Sequence, residues 1–227
     1  MINILALSII VFGATAYFID SLSLKIRITS GIVGKVAIFN HMSLIAMMFN
    51  RFSVALTLPV LGFLLDYGVN QDFLIMTILG AITLYLFLNI ILIFFSYKIS
   101  KTLISMLRFY DQKDTSQLNK ELFKVNSFGF DLPSCFFYFI ILLGFFLPSI
   151  LASFFLEWRA SIMQFGFTLN VLGTLINVLL IEKKVSLAID GKDAKNVLDL
   201  SNRILIGRFI GAFLALITIF FILALKP

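Results

Sequence analysis

The sequence predicts an all-α polytopic membrane protein, a single domain of about six transmembrane helices with both termini outside. Three observations predict it. Apolar residues make up 60% of the 227-residue chain and charged residues only 13%, against about 25% charged in soluble domains. Six stretches are long and apolar enough to cross a bilayer, which takes about 20 residues. Lys and Arg gather in alternate loops between those stretches. A soluble fold of this length cannot hide so much apolar surface, so lipid must be the solvent for much of it.

Span one, 2–19, carries no charge. The chain opens without the basic n-region or small-residue cleavage site of a secretory signal, so the stretch reads as a retained helix. Span two, 36–65, carries one charge, Arg51, and holds Pro59, which membrane helices tolerate as a kink. Spans three, four and five, at 73–97, 135–156 and 160–181, are uncharged, and span six, 204–225, carries Arg208 alone. The loops 20–35, 98–134 and 182–203 hold fourteen Lys or Arg, against two on the other side. The positive-inside rule assigns those three loops to the cytoplasm. The net charge of +6 therefore points to the anionic inner leaflet rather than to nucleic acid.

The cytoplasmic segments themselves read as helical. Ile99, Leu103, Met106, Leu107 and Tyr110 share one face and extend span three as an amphipathic helix. Asp114 or Thr115 caps a short helix through Lys124. Asp190-Gly191 is a turn, and Asp193 caps the helix that follows, so spans five and six form a hairpin reaching into the cytoplasm. The plain role of such basic amphipathic pieces is interfacial anchoring. Glu157-Trp158-Arg159 reads as an anchor at the outer interface.

Spans one and two share a plan with spans five and six. Each pair has an acid near the inner end of its first helix (Asp20, Glu182), a Gly turn (Gly31, Gly191), and an intramembrane Arg-Phe (Arg51-Phe52, Arg208-Phe209). Pairs related in this way form a parallel repeat about an axis along the membrane normal. Chance similarity between two apolar hairpins is the alternative.

Arg51 is the most informative residue, because a charge inside a span costs at least about 2.5 kcal/mol and defaults to function. Asn40, His41, Ser43 and Asn50 share its helix. The functional reading is a basic, hydrogen-bonding wall for an anionic group. The structural one is an Arg paired with Asp20 or with helix carbonyls. Arg208 lies nearer the cytoplasmic edge, where snorkelling competes with function. His41 suits interhelical hydrogen bonding before proton relay, and Gln164, Asn170 and Asn177 read as a polar stripe on span five with the same use. Gly207, Gly211 and Ala215 form a small-residue stripe for close helix packing.

Catalytic patterns are missing. One Cys (Cys135) and one His (His41) exclude an internal disulfide and a zinc cluster. The HExxH, GxSxG and P-loop motifs are absent, so no enzyme, metal or cofactor is expected.

The run Ile19-Asp20-Ser21-Leu22-Ser23, then Ile26-Arg27, Gly31 to Lys35, Asn50-Arg51-Phe52 and Pro59 to Asp66 resembles the Amj-type lipid II flippases of bacteria. The resemblance covers roughly the first third of the chain; the remainder agrees in span layout more than in motif. It implies a multi-pass protein of the bacterial cell membrane acting in peptidoglycan biosynthesis, cell-wall biogenesis and cell shape. The cargo it implies is lipid II, the undecaprenyl-pyrophosphate-linked precursor, moved from the inner to the outer leaflet. Asp20, Arg27, Asn50, Arg51, Pro59 and Asp66 match the motif. In that job Arg51, with Lys35 and Arg208, receives the pyrophosphate from the cytoplasmic side, and spans one and two rock against spans five and six. Six helices are few for a large head group, which favours a homodimer. The rival readings are a transporter of another polyprenyl-linked glycan or small amphiphile, a non-catalytic accessory subunit, and a lipid-modifying enzyme.

Overall fold

The computed structural model describes residues 1–33, 36–108, 129–191 and 194–224. Eight α-helices account for nearly all of them: α1 (Ile2–Val33), α2 (Val36–Asp66), α3 (Gln71–Phe94), α4 (Ser96–Arg108), α5 (Leu132–Phe154), α6 (Arg159–Ile176), α7 (Lys183–Asp190) and α8 (Ala194–Ala224). Among the described residues six helical stretches are long and apolar enough to cross a membrane. The chain is a multi-pass membrane protein built as a helical bundle. No strand occurs in the described residues, as lipid requires of a spanning structure that is not a closed barrel.

The helices run longer than their apolar stretches. The predicted loop 20–35 is a correction: α1 stays helical through Val33, past Asp20, Lys25 and Arg27. Leu22, Leu24, Ile26 and Ile28 supply apolar surface there, and the charges find partners inside the protein, so the helix need not stop where its charges begin. Span three ends sooner than predicted. Phe95 breaks the helix, and α4 sets off as a separate amphipathic segment. Span five runs unbroken from α6 into α7 through a π-helical turn at Asn177–Glu182. The predicted turn at Asp190-Gly191 is present, and α8 starts at Ala194. The helix expected from Asp114 or Thr115 to Lys124, the Asp193 cap, Tyr110 and Lys35 lie outside the described residues.

α1, α3, α5 and α8 form the centre of the bundle. α2 packs chiefly on α1, and α6 on α5, which leaves most of both helices exposed. Small residues set the approach of the central helices. A Cβ at Gly207 would sit 2.5 Å from the Asp131 carbonyl oxygen, and one at Gly211 would strike the Cys135 carbonyl. The predicted glycine stripe therefore does pack closely, against α5. On the other side of α5, Gly166 of α6 seats on Pro148, where a Cβ would lie 2.5 Å from Cγ. Pro148 lacks the N–H that would bond the Gly144 carbonyl, and Gly166 approaches that same oxygen. Pro59 is carried within an unbroken α2.

The two ends differ. The segments bearing Lys25, Arg27, Lys98, Lys184 and Arg203 come together at one end, through contacts of α1 with α4 and α7 and of α7 with α8. At the opposite end, Arg159 ion-pairs with Asp66 at 2.7 Å, and Gln71 donates to the Ser153 carbonyl at 2.8 Å. Trp158 stands exposed in the short 3₁₀ turn between α5 and α6.

Candidate functional site

Four helices converge on one ionic group. Arg208 of α8 is 2% exposed, and its Nη1 lies 3.0 Å from Oδ2 of Asp20 on α1. Asp20 lies about 27 Å along α1 from Ile2, Arg208 about 24 Å from the end of α8, and Tyr85 about 21 Å from the start of α3, at about 1.5 Å per residue. The group is thus deep in the spans and nearer the basic end.

Tyrosines build the cage around it. Tyr138 of α5 donates its hydroxyl toward Asp20 Oδ2 at 2.9 Å and toward the Tyr17 carbonyl at 3.0 Å. The Arg208 guanidinium carbon lies 4.8 Å from the Tyr138 ring centroid and 5.7 Å from that of Phe137, close enough for cation–π attraction. Ser21 bridges the cluster, with Oγ 3.1 Å from the Tyr138 hydroxyl, 3.4 Å from that of Tyr85, and accepting from Arg208 Nη1 at 3.4 Å. Asn89 donates to the Tyr85 hydroxyl at 2.9 Å. Tyr17 meets Tyr85 and Tyr138 edge-on.

The helix pattern explains the convergence. Tyr85 and Asn89 are one turn apart on α3, and Tyr17 and Ser21 one turn apart on α1, so each pair shares a face. A buried ion pair is tolerated only when its remaining hydrogen-bonding groups are satisfied. Tyr138 and Ser21 do this for Asp20 and for one arm of Arg208, while Arg208 Nε has no partner among the described residues.

Further charges step from this group toward the basic end. Lys25, fully buried, donates to Ser201 Oγ at 3.5 Å. Arg27 ion-pairs with Glu182, which the π-helical turn carries; such turns recur at functional sites. Lys184 Nζ lies 2.6 Å from Oδ1 of Asp131, the N-cap of α5, whose other oxygen accepts from the Ser134 N–H and hydroxyl. Burial alone would raise the Asp131 pKa; the hydrogen bonds from Lys184 and Ser134 outweigh it and hold the carboxyl below its ordinary value.

The predicted site residues divide. Asp20 and Arg208 are brought together, and Arg27 is close to them in the chain but engaged with Glu182. The acids of the two hairpins are thus exchanged, Asp20 of the first pairing with an Arg of the second and Glu182 of the second with an Arg of the first. Arg51 does not take the structural alternative of pairing with Asp20: it lies exposed on α2, apart from the cluster, and makes no ion pair among the described residues. Asn50, half-buried, is on the side of α2 that holds buried Ser43, Ser53 and Thr57, and a one-residue step turns Arg51 about 100° away from it. His41 is exposed near the basic end. Gln164 departs from the expected stripe: it is exposed, whereas Asn170 and Asn177 are half-buried.

Sequence reasoning missed Tyr17, Tyr85, Tyr138, Asn89 and Lys25. A signal existed. Membrane tyrosines favour the interfaces, yet four of the six in the chain, Tyr17, Tyr85, Tyr97 and Tyr138, fall inside the predicted spans. A shallow groove lined by Leu151, Phe155, Trp158, Ile162 and Phe165 lies at the other end of the bundle, and its apolar walls carry no chemistry. Among the described residues no group of three His, Cys, Asp or Glu could hold a metal.

The fold and this centre define a polytopic helical membrane protein with an ion pair inside its bundle. No known protein family, curated protein or solved structure matches the chain.

Proposed function

We propose that the protein is a flippase-type transporter of the bacterial cell membrane that carries an anionic polyprenyl-pyrophosphate lipid, lipid II by the resemblance of residues 19–66, from the inner to the outer leaflet. The observation that carries this reading is the Asp20–Arg208 pair, 2% exposed on the Arg side, held among four helices. Ionisable groups inside membrane bundles mark substrate and ion pathways. A pyrophosphate head resists hydrocarbon and needs fixed cations in place of its water. Arg208 is such a cation, and Asp20 is its resting counter-charge, which a phosphate can replace. Arg27 and Lys25 lie between this centre and the basic end, the cytoplasmic end by the positive-inside rule.

The walls suit a lateral route. α2 and α6 each rest on a single main neighbour, so a head group can pass beside them while its polyprenyl tail stays in lipid. Arg51 on the exposed flank of α2 meets that head group first, from the membrane side. Outward movement of a net negative head is favoured by an inside-negative potential.

The test is outer-face exposure of lipid II in bacteria depleted of their own flippase. We expect rescue by the wild-type chain and loss of rescue with Arg208→Gln or Arg51→Ala at matched membrane levels. Absence of rescue by inserted wild-type protein sinks the lipid II assignment. Rescue by both variants removes these arginines from the path.

A further inference from the structure

From Arg159 to Asp190 the chain is one continuous helical rod: α6, the π-helical turn at Asn177–Glu182, then α7. The rod is tied to the bundle by ion pairs at both ends. At the end away from the basic cluster, Arg159 holds Asp66 of α2. At the basic end, Glu182 holds Arg27 of α1, and Lys184 Nζ lies 2.6 Å from Oδ1 of Asp131 on α5. The ends are built differently. The Asp66 side chain is 72% exposed, whereas that of Asp131 is 8% exposed and Arg27 and Glu182 are both half-buried. Partly buried pairs are screened far less than exposed ones, so the structure is the firmer at its basic end.

The basic-end partners lie beneath the ionic centre. Arg27 follows Asp20 by seven residues on α1, and Asp131 precedes Tyr138 by seven on α5. Seven residues make two helical turns, about 10 Å, and return to the same face. Each latch partner therefore stands below one of the two side chains that meet at Asp20 Oδ2. α7 also packs on α8, where the Asp131 N–H donates to the Arg203 carbonyl at 3.0 Å, about 7.5 Å short of Arg208 along the helix. α7 thus touches α1, α5 and α8, three of the four helices of the centre, one layer below it on the basic side. Ile181 and Val185, one turn apart, bury themselves in the main apolar cluster, while Lys183, Ser186, Leu187 and Asp190 stay exposed.

The rod has one place to bend. α6 is seated on α5 through Gly166, and Gly173 lies against Ile141. Beyond Gly173 the π-helical turn interrupts the regular ladder, and helices kink at such turns. Asn177 Oδ1 is buried there with no hydrogen-bond partner among the described residues. α7 is eight residues long and ends in the Asp190-Gly191 turn, so two ion pairs and two apolar side chains are its main hold on the bundle.

We infer that α7 is a strap across the basic side of the ionic centre: latched by Glu182–Arg27 and Lys184–Asp131 it closes that side, and bending at the π-helical turn lifts it off. Lifting exposes Asp20 and Arg208 to the basic side while α6 stays on α5. The strap stands on these contacts alone; its use as the inner gate for a phosphate head group rests on the transporter reading.

The experiment uses the full chain in proteoliposomes, with Leu24→Cys in a Cys135→Ser background as reporter. Leu24 is 3% exposed and lies one turn from Asp20 toward Arg27. A membrane-impermeant thiol reagent is added to either side. Glu182→Gln with Lys184→Gln should raise the labelling rate about tenfold or more, from the basic side only, because labelling follows the population of the open form. Arg27→Glu with Glu182→Arg remakes the pair in reverse and should bring the rate back to within about twofold of the parent. Hydrogen exchange of the unaltered chain needs no variant: amides of residues 183–190 should exchange about tenfold faster or more than those of 22–29, the part of α1 at the same level. A latch variant that melts with the parent yet labels no faster overturns the strap. Labelling that rises equally from both sides, a reversed pair that stays fast, or equal exchange of the two stretches does so as well. Arg27→Cys with Glu182→Cys, joined by a short bifunctional thiol reagent, should stop movement of fluorescent lipid II. Movement at full rate with the strap joined overturns the gate. A wild type that moves no lipid II, with labelling and exchange as expected, sinks the transporter reading and leaves the strap in place.

Discussion

Arg208 reaches Asp20 across the middle of the bundle, Nη1 to Oδ2 at 3.0 Å, and joins the first helical hairpin to the last. Removing one member of a buried pair strands the other, and that costs about 3–5 kcal/mol. Arg208→Ala should therefore lower stability by about that amount. Asp20→Asn with Arg208→Gln together should cost less than the arginine change alone. Thermal unfolding in detergent reads both. If the double variant is the weaker, the pair is held by more than its charge.

The α5–α8 contact should be intolerant of any side chain at Gly207 or Gly211. A Cβ at either would meet the Asp131 or Cys135 carbonyl of α5, and backbone cannot yield as a flexible side chain does. Gly211→Val should cost about 1–3 kcal/mol or prevent assembly. Gly62→Ala, with nothing within 4 Å of its new Cβ, should be neutral or stabilising by up to about 1 kcal/mol, since alanine favours the helix. Size-exclusion profiles and melting temperatures of the two variants distinguish them. Equal damage by both would contradict the close approach.

These cases show what the sequence makes legible. The spans follow from charge-free length, and the close packing follows from glycines four residues apart. The ionic centre was half legible. Asp20 and Arg208 each stood out as charges beside apolar runs, but their meeting depends on α1 and α8 being neighbours, which no local pattern encodes. Lys25 read as a loop cation because a helix was taken to stop at its first charge. It does not stop there, because Ser201 and the surrounding helices give that charge a place inside. Arg51 drew attention for being intramembrane, a signal equally strong for Arg208; which of the two faces inward is a matter of rotation about the helix axis, and Arg51 lies one residue off the buried stripe of α2.

The α5 cap predicts a pH dependence. Asp131 is 8% exposed, accepts from Lys184 and Ser134, and has its pKa held down in the folded protein. A depressed carboxylate stabilises the fold fully above its unfolded pKa, about 3.9. That contribution disappears as pH falls through the lower, folded value. The stability gap between wild type and Asp131→Asn should thus be constant from pH 8 to about 5 and narrow below about 4. A gap that widens on acidification would reverse the assigned sign.

At the end opposite the basic cluster, Arg159 holds Asp66 at 2.7 Å with the Asp side chain 72% exposed. An exposed pair of this kind is worth at most about 1 kcal/mol, so Asp66→Asn should leave stability almost unchanged. Its interest is its position. It ties the end of α2 to the start of α6, two spanning helices that each rest on a single main neighbour, and on the proposed transporter reading an opening at this end must part them. Asp66→Cys with Arg159→Cys, in a Cys135→Ser background, places two thiols across that boundary. A bifunctional thiol reagent long enough to bridge them should stop lipid translocation in proteoliposomes, and a cleavable version should restore it on reduction. The uncrosslinked double variant should transport nearly as well as wild type. Transport that continues at full rate with the bridge in place would mean that α2 and α6 stay together at this end throughout the cycle, and the opening would then have to lie between α6 and another helix.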